Sequence, residues 1–456
     1  MTVTPLNTGE TGRSQGFSAG MPDRVELKLY SALTRAARPI APLILWWRMR
    51  HGKEDWDRLG ERLGRASLIR PEGNIVWFHG ASVGEVNSIL PLIRRLGELR
   101  PDVSFLLTSG TVTSAEFVAS RLPPRTFHQY VPLDSPRIAA AFLEYWRPAL
   151  AIFTEQEIWP NLVMEACRRH VPMALVNARM SDHSFERWQR RPGLAEALFS
   201  RFSLVMAQSE VLAERFRSLG AHWAVNSGNL KFDVPPPVVD ESALLALKTA
   251  LDGRPVLMAA STHPGEEEIV ARVHARLRER VPGLVTIIAP RHPNRGEGIA
   301  ATLSGMGLSV KRRQEGHLPE PETDIYLADT IGELGTLYAV AGVAFIGGSL
   351  VPHGGQNPIE AVQHGVAVVT GPHTRNFADV LRVLKACDGV QVVKDEDELG
   401  AVLELLLMSP DDAARLRRRA TGALGSMAGA LTRTAEALAS LLDADAAVRD
   451  LPQRAH

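Results

Sequence analysis

The chain has 456 residues, enough for two or three domains, and its 45% hydrophobic and 22% charged residues form an ordinary globular balance. Its 51 basic and 51 acidic residues cancel, which removes global electrostatic support for a nucleic-acid partner. Two cysteines, Cys167 and Cys387, are too few for a disulfide framework or a cysteine zinc site, and they suit a reducing compartment.

Residues 1–23 are polar and rich in Gly, Ser and Thr, show no cleavable signal peptide, and read as a disordered extension. Residues 24–53 combine apolar surface (Leu27, Leu29, Tyr30, Leu33 and 40–47) with Lys28, Arg35, Arg38, Arg48, Arg50 and Lys53. The uninterrupted apolar run there is only about 8 residues, against the roughly 20 that a spanning helix needs. Arg38, Pro39 and Pro42 also argue against a straight span. Tryptophans 46 and 47 beside arginines suit a membrane interface with anionic head groups; the plainer alternative is an N-terminal helix packed on the body. Residues 54–70 are expected to form a charged helix.

Short apolar runs separated by helical patterns then begin, the signature of a buried parallel sheet. Strands are expected at 75–79, 104–108, 128–131, 149–153, 173–176 and 204–207, with helices at 84–99 and from about 111 and 161. Pro235, Pro236 and Pro237 exclude both helix and central strand and make a stiff linker. A second alternation follows, with strands at 256–260, 286–289, 308–311, 325–327, 343–346, 366–369 and 390–393. From 409 onward the chain reads as helical, fading into a polar tail. The expected division is 54–234, the 235–237 linker, 238–430, and a terminal helix and tail at 431–456. Two such alternations suggest two facing Rossmann-like α/β domains, with ligands at the carboxyl ends of the strands in the interdomain cleft.

Polar clusters stand where strands end. Residues 77–85 (WFHGASVGE) place Glu85 at a helix start after a glycine turn, where it reads equally as a general base or as an acid favoured by the helix dipole. Residues 154–161 (TEQEIWPN) carry Glu155 and Glu157, which point to opposite sides if the chain is extended there. Residues 177–181 (NARMS) and 228–233 (GNLKFD) follow the same logic, with Lys231 able to reach an anionic substrate. In the second half, 261–268 (STHPGEEE) is expected to open a helix at Pro264, and 290–295 (PRHPNR) and 329–334 (DTIGEL) follow later strands.

The stretch 345–377 carries Gly347, Gly348, Gly354 and Gly355 between a strand and a helix opened by Asn357 and Pro358, with Glu360 in its first turn. Glycines admit a ligand close to the backbone, and free N–H groups at a helix start attract phosphate. A carboxylate there suits ribose hydroxyls instead. The loop is neither a P-loop nor a GxGxxG fingerprint, so a nucleotide pocket competes with a merely capped βα loop. No metal site is expected: there is no HExxH, and the DxD forms at Asp395/Asp397 and Asp443/Asp445 read as a surface helix start and part of the tail.

Assembled, these clusters closely resemble the Kdo (3-deoxy-D-manno-octulosonic acid) transferases of lipopolysaccharide synthesis, from about residue 27 to about residue 430. The resemblance rests on ERLG (61–64), HGASVGE (79–85), TEQEIWPN, VNARMS and GNLKFD, then ASTHPGEE, APRHPNR, DTIGELGTLY, FIGGSL, GGQNPIEA and GPHTRNF, in that order. It implies a GT-B fold and metal-independent, inverting transfer of Kdo from CMP-Kdo to a lipid A precursor, with no cofactor beyond the donor. By the same analogy Glu85 matches the family's general base, and Glu155 and Lys231 match transition-state stabilisers. Pro290, Arg291, Gly332, Glu333, Leu334, Asn357, Pro358, Ile359 and Glu360 match the CMP-binding segments.

The amphiphilic acceptor implied by the resemblance suits the first 50 residues. Arg187, Arg190 and Arg191 form a basic patch that either meets lipid phosphates or is a solvated face. Relatives often carry a longer apolar anchor, so attachment to the cytoplasmic face of the inner membrane is expected in place of a full span. Rival readings are a UDP-sugar-dependent GT-B glycosyltransferase and a catalytically silent nucleotide-binding membrane scaffold.

Overall fold

The computed structural model describes residues 24–449; the expected disordered extension at 1–23 lies outside the described residues. The chain divides into two compact units, Met1–Val234 with Ala428–His456, and Pro235–Met427.

The first unit is built on seven parallel strands: β1 (Asn74–His79), β2 (Val103–Ser109), β3 (Thr126–Tyr130), β4 (Leu150–Thr154), β5 (Met173–Ala178), β6 (Leu204–Ala207) and β7 (Ala224–Asn226). Their order is β3-β2-β1-β4-β5-β6-β7. Because both faces are covered, alternate residues of one strand enter different cores. Trp77 packs with Phe142 and Phe153 on one side, and Val76 and Phe78 pack with Ile89 and Ile93 on the other. The register sets His79 opposite Thr108 and Phe153, so the strands end together along one edge. The order reverses between β1 and β4, the crevice where α/β sheets place ligands. Glu85 and Glu155 follow those two strands.

The second unit repeats the plan: β8 (Val256–Thr262), β9 (Val285–Pro290), β10 (Val310–Arg312), β11 (Ile325–Leu327), β12 (Val343–Ile346), β13 (Ala367–Thr370) and β14 (Gln391–Val392). Its order is β10-β11-β9-β8-β12-β13-β14, with the reversal between β8 and β12. The 261–268 cluster and the 347–355 glycine loop therefore leave neighbouring strands at the switch point. The helix expected at Pro264 starts later, as Glu266–Leu277, behind Gly265 at φ +94°.

Two segments differ from expectation. Only Leu59–Arg62 of residues 54–70 is α-helical. Its charges turn inward: the buried Glu61 carboxylate accepts the Tyr130 amide at 2.6 Å and the Arg58 guanidinium, while buried Arg62 donates to Glu54 and to the carbonyls of Val131 and Gly110. A solvated helix would leave those groups at the sheet edge unsatisfied.

The second difference is the terminal helix, Ala430–Arg449, which belongs to the first unit. Its Leu438 and Leu442 enter the same core as Val86, Ile89 and Ile93, each such leucine contributing about 1.5–3 kcal/mol. Its start is held by Asp233, whose carboxylate accepts the amides of Gly429 (2.6 Å) and Leu431 (2.8 Å). In 24–53, two helices, Val25–Ala36 and Ala41–Arg50, flank a 3-10 turn at Arg38–Ile40. Leu27 and Leu45 are buried, while Leu43, Trp46 and Trp47 stay exposed. Among the described residues no helix is long and apolar enough to cross a membrane.

Candidate active site

Each unit carries its own set of candidate residues. In the first, β1 ends at His79 and the chain turns into the helix Val83–Leu99. Ser82 caps that helix, and Glu85 stands three residues on, the S-x-x-E spacing of a capping box. The Glu85 carboxylate accepts the Ala81 amide at 2.9 Å and the Ser82 hydroxyl at 2.8 Å. Burial pushes its pKa from the ordinary 4.5 up to about 7, with the charges of Glu155 and Glu157 adding to the rise and the two hydrogen bonds opposing it. A carboxyl poised there can take a proton at neutral pH. His79 is a core residue: it is fully buried, bonds Thr108 through Nδ1, and is pushed down to about 4 by desolvation.

Glu155 sits just past β4 in the left-handed region, at φ 56°. Such a backbone costs on the order of 1–3 kcal/mol and persists only where its surroundings impose it. Here they do: the Glu155 amide donates to Val176 and its carbonyl accepts from Arg179. Lys231 Nζ lies 3.1 Å from Glu155 Oε1, an ion pair off the angle of a hydrogen bond, so that buried oxygen keeps a lone pair uncommitted. Arg179 approaches the other oxygen at 3.6 Å.

Lys231 is aimed by buried amides. Asn229 Oδ1 accepts the Lys231 amide, Asn177 Oδ1 accepts the Leu230 amide, and Gln208 donates to the Asn177 carbonyl. Asn177 is itself left-handed, at φ 50°. The chain after Glu155 turns, with the Glu157 amide bonded to Thr154, so the extended geometry that would set Glu155 and Glu157 on opposite sides does not occur. Both carboxylates act on Glu85. Burial, then the Glu155 charge, raises the pKa of Glu157 as well.

In the second unit the organiser is Glu266. It is fully buried, and its carboxylate accepts four backbone amides: His263 (3.0 Å), Gly348 (2.6 Å), Ser349 (2.9 Å) and Leu350 (3.0 Å). One side chain thus shapes the glycine loop. Glycine is required there for space: a Cβ at Gly347 would come within 2.6 Å of the Ser261 carbonyl, and one at Gly371 within 2.3 Å of the Ser349 carbonyl. Glu267 accepts from Thr262 and takes both Arg295 nitrogens, at 2.8 and 3.1 Å. His263 packs edge-on against His353 and His292, and burial, followed by the His353 and His292 charges, pushes its pKa down to about 4.

Arg291 is exposed beside buried Pro290, and its amide is anchored on Thr262. Asn357 places Glu360 by donating to its carboxylate at 3.0 Å and accepting the Ile359 amide. Burial raises the Glu360 pKa, and the charge of Arg291 opposes that rise. Pro358 and Ile359 are buried beneath, and the helix there, Ile359–Gln363, has only five residues. Gly332 is left-handed, at φ 88°, with open space at its Cβ position, beside half-buried Leu334. The Glu333 carboxylate is already taken by Arg313 and Thr330, which leaves its main chain, not its acid, to face a ligand.

Arg187 lies in the helix Asp182–Gln189; Arg190 and Arg191 follow it, and all three are exposed. No group of three or more His, Cys, Asp or Glu is placed to hold a metal among the described residues. Of the DxD forms, Asp395 caps a helix, Asp397 pairs with Arg276 and Asp443 pairs with Arg100.

Residues 57–234 match the family described as 3-Deoxy-D-manno-octulosonic-acid transferase (kdotransferase). A probable mitochondrial 3-deoxy-D-manno-octulosonic acid transferase of Arabidopsis thaliana is 39% identical over 395 residues, covering 84% of this chain and 88% of that protein. The chain belongs to the Kdo transferase family. A second relative, the 3-deoxy-D-manno-octulosonic acid transferase of Haemophilus influenzae, is 36% identical over 393 residues, 85% of this chain and 92% of that protein.

A crystal structure of a glycosyltransferase from Rickettsia africae aligns with a TM-score of 0.54 over 82% of this chain and 99% of that one; at 10% identity it speaks to fold alone. With the two parallel sheets, it establishes the GT-B type of α/β architecture. Membership of the Kdo transferase family makes the chain a glycosyltransferase. Its Ser82, Glu266 and Asp233 escaped the sequence reading. Ser82–Glu85 carried a local spacing signal; apart from the His263 amide, the partners of Glu266 lie 82–84 residues away, and those of Asp233 lie 196–198 away.

Proposed function

We propose that this chain transfers Kdo from CMP-Kdo to a hydroxyl of a lipid A precursor, inverting the anomeric carbon, with no cofactor beyond the donor. The observation that carries this reading is the Glu85 carboxyl, raised to about 7 beside the Glu155–Lys231 pair at a switch point. Glu85 accepts the hydroxyl proton as the acceptor oxygen bonds to the anomeric carbon, and the bond from that carbon to the phosphate oxygen breaks. CMP leaves with the electron pair. Lys231, aimed by its amide network, faces the sugar's carboxylate, and Glu155 faces the positive charge that develops at the anomeric centre.

In the second unit, the exposed Arg291 suits the CMP phosphate. Glu360 suits the ribose hydroxyls, and the main chain at Gly332, Glu333 and Leu334, with Pro290, Asn357, Pro358 and Ile359, lines the nucleotide. Arg187, Arg190 and Arg191 meet acceptor phosphates. The exposed Leu43, Trp46 and Trp47, with Arg50 stacked 4.0 Å over the Trp46 ring, hold the protein on the cytoplasmic face of the inner membrane.

The test is transfer from CMP-Kdo generated in situ to a tetra-acylated lipid A precursor, read by product mass. The expected result is a Kdo adduct with unmutated protein that Glu85→Gln loses while still binding CMP. A folded, membrane-supplied protein that makes no adduct, or one that UDP inhibits as well as CMP does, would overturn the reading.

A further inference from the structure

The helix Ala41–Arg50 does not close onto the first unit. Between it and the 131–138 segment lies a cavity of about 570 Å³, within the range of small-molecule sites. Ala41, Ile44 and Leu45 form one wall, and Val131, Leu133 and Ile138 the other. Most charged groups in its lining are already bonded: Arg48 and Arg62 both bond Glu54, at 2.8 and 2.9 Å, and Asp134 accepts from Tyr30, Asn161 and Leu162, while the exposed Arg38 also stands in the lining. What remains is largely apolar surface. An apolar cleft of this size leaves its lining against water, so covering it with an apolar group is favourable.

The walls are rigidly held. Tyr30 is bonded to Asp134, and Asn161 takes the hydroxyl of Ser31 and donates to Thr34, which bolts the helix Val25–Ala36 to the sheet unit. The two ends of the cavity differ. Ile44 is both lining and half exposed to solvent, on the helix that also exposes Leu43, Trp46 and Trp47. The other end is formed by Ala81, Gly110 and Thr111. The Ala81 amide is the donor that holds the Glu85 carboxylate, and its carbonyl accepts from Gly110. The lining thus includes both Ile44, from the tryptophan-bearing helix, and Ala81, whose amide holds the Glu85 carboxylate.

We infer that this cavity holds one saturated acyl chain of the acceptor, seated so that the sugar at its head lies at Glu85. The inference rests on the proposed Kdo transfer to an acylated acceptor. It assigns chain recognition to Ala41, Ile44 and Ile138, and it makes acylation part of how the hydroxyl is positioned.

Two experiments test it. First, an acceptor carrying a diazirine at the end of an acyl chain is irradiated with the unmutated protein and the labelled peptides are mapped, an experiment that needs no turnover. Label on 37–48 or 131–138, displaced by unlabelled acceptor and absent with diazirine-bearing phosphatidylcholine vesicles, is the expected result. Label elsewhere, or equal label from the vesicles, overturns the inference. Second, Ala41→Trp fills the cavity. At about four-fold per lost methylene contact, three methylenes predict that kcat/KM falls roughly 60-fold more for the tetra-acylated acceptor than for its deacylated counterpart. An equal loss for both, or none, overturns it. If unmutated protein makes no Kdo adduct but the label lands in the cavity, the proposed reaction fails and the chain site stands; an adduct with label elsewhere is the reverse.

Discussion

Glutamine at position 85 keeps the shape of the side chain and abolishes its charge. In the structure the carboxylate holds two hydrogen bonds, from the Ala81 amide and the Ser82 hydroxyl, which a glutamine oxygen can still accept. What changes is ionisation. Burial and the nearby charges of Glu155 and Glu157 raise the pKa from 4.5 to about 7. The native state therefore holds this proton more tightly than the unfolded chain, so stability present below pH 4.5 is lost as the pH climbs to about 7. At about 1.4 kcal/mol per pH unit the shift corresponds to about 3 kcal/mol, which solvent screening of the partly exposed group reduces to on the order of 2 kcal/mol.

Glu85→Gln is thus expected to be more stable than the unmutated protein at pH 8 by about that much, with the gap closing toward pH 4.5, measured by urea unfolding. Activity moves the other way. Loss of a general base costs roughly 10²–10⁴-fold in rate, and the unmutated enzyme's kcat/KM should rise with pH and level off above about 7. A mutant that keeps more than a tenth of the activity, or an unmutated rate profile flat between about pH 6 and 8, would refute the reasoning.

Lys231→Ala removes the cation 3.1 Å from Glu155 and leaves that buried carboxylate with Arg179 alone, 3.6 Å from its other oxygen; transfer should fall about 100-fold or more while calorimetry finds CMP affinity unchanged. Glu266→Ala strands the amides of His263, Gly348, Ser349 and Leu350. It should cost about 3 kcal/mol or more, seen as a Tm lower by roughly 6 °C or more, with CMP affinity reduced at least about tenfold. Asp233→Ala frees the start of the terminal helix, and limited proteolysis should then release the segment beyond Gly429 faster than in the unmutated protein. Arg62→Leu leaves buried Glu54 with Arg48 alone and takes the donor from the carbonyls of Val131 and Gly110; a loss of about 3 kcal/mol by urea unfolding is expected, and a neutral result would show the pairing to be dispensable.

The amino-acid sequence by itself determined six of the seven strands of the first sheet, missing Ala224–Asn226, the seven of the second, and the glycine loop with its flanking helix. It also determined the ordered motifs that resemble the Kdo transferases. These are legible because their causes are local: side-chain period, turn chemistry and the spacing of caps reach only a few residues along the chain. Some tertiary choices shifted even these edges, as when 128–131 became Thr126–Tyr130 and 308–311 became Val310–Arg312, because pairing with neighbours sets where a strand starts.

What only the tertiary structure decided is which partner each buried charge found. Residues 54–70 carry a helical, charged pattern, yet Glu61 and Arg62 are drawn into the sheet edge because the amide of Tyr130 and the carbonyls of Val131 and Gly110 need them there. Glu266 reads as one acid among three at a helix start and proves to be the clamp of a loop more than 80 residues away. The terminal helix could have completed either unit; Asp233 and the apolar face of Val83–Leu99 assigned it to the first. A buried carboxylate must be satisfied wherever the fold brings donors together, and that meeting place is a property of the folded chain, not of any window of its sequence.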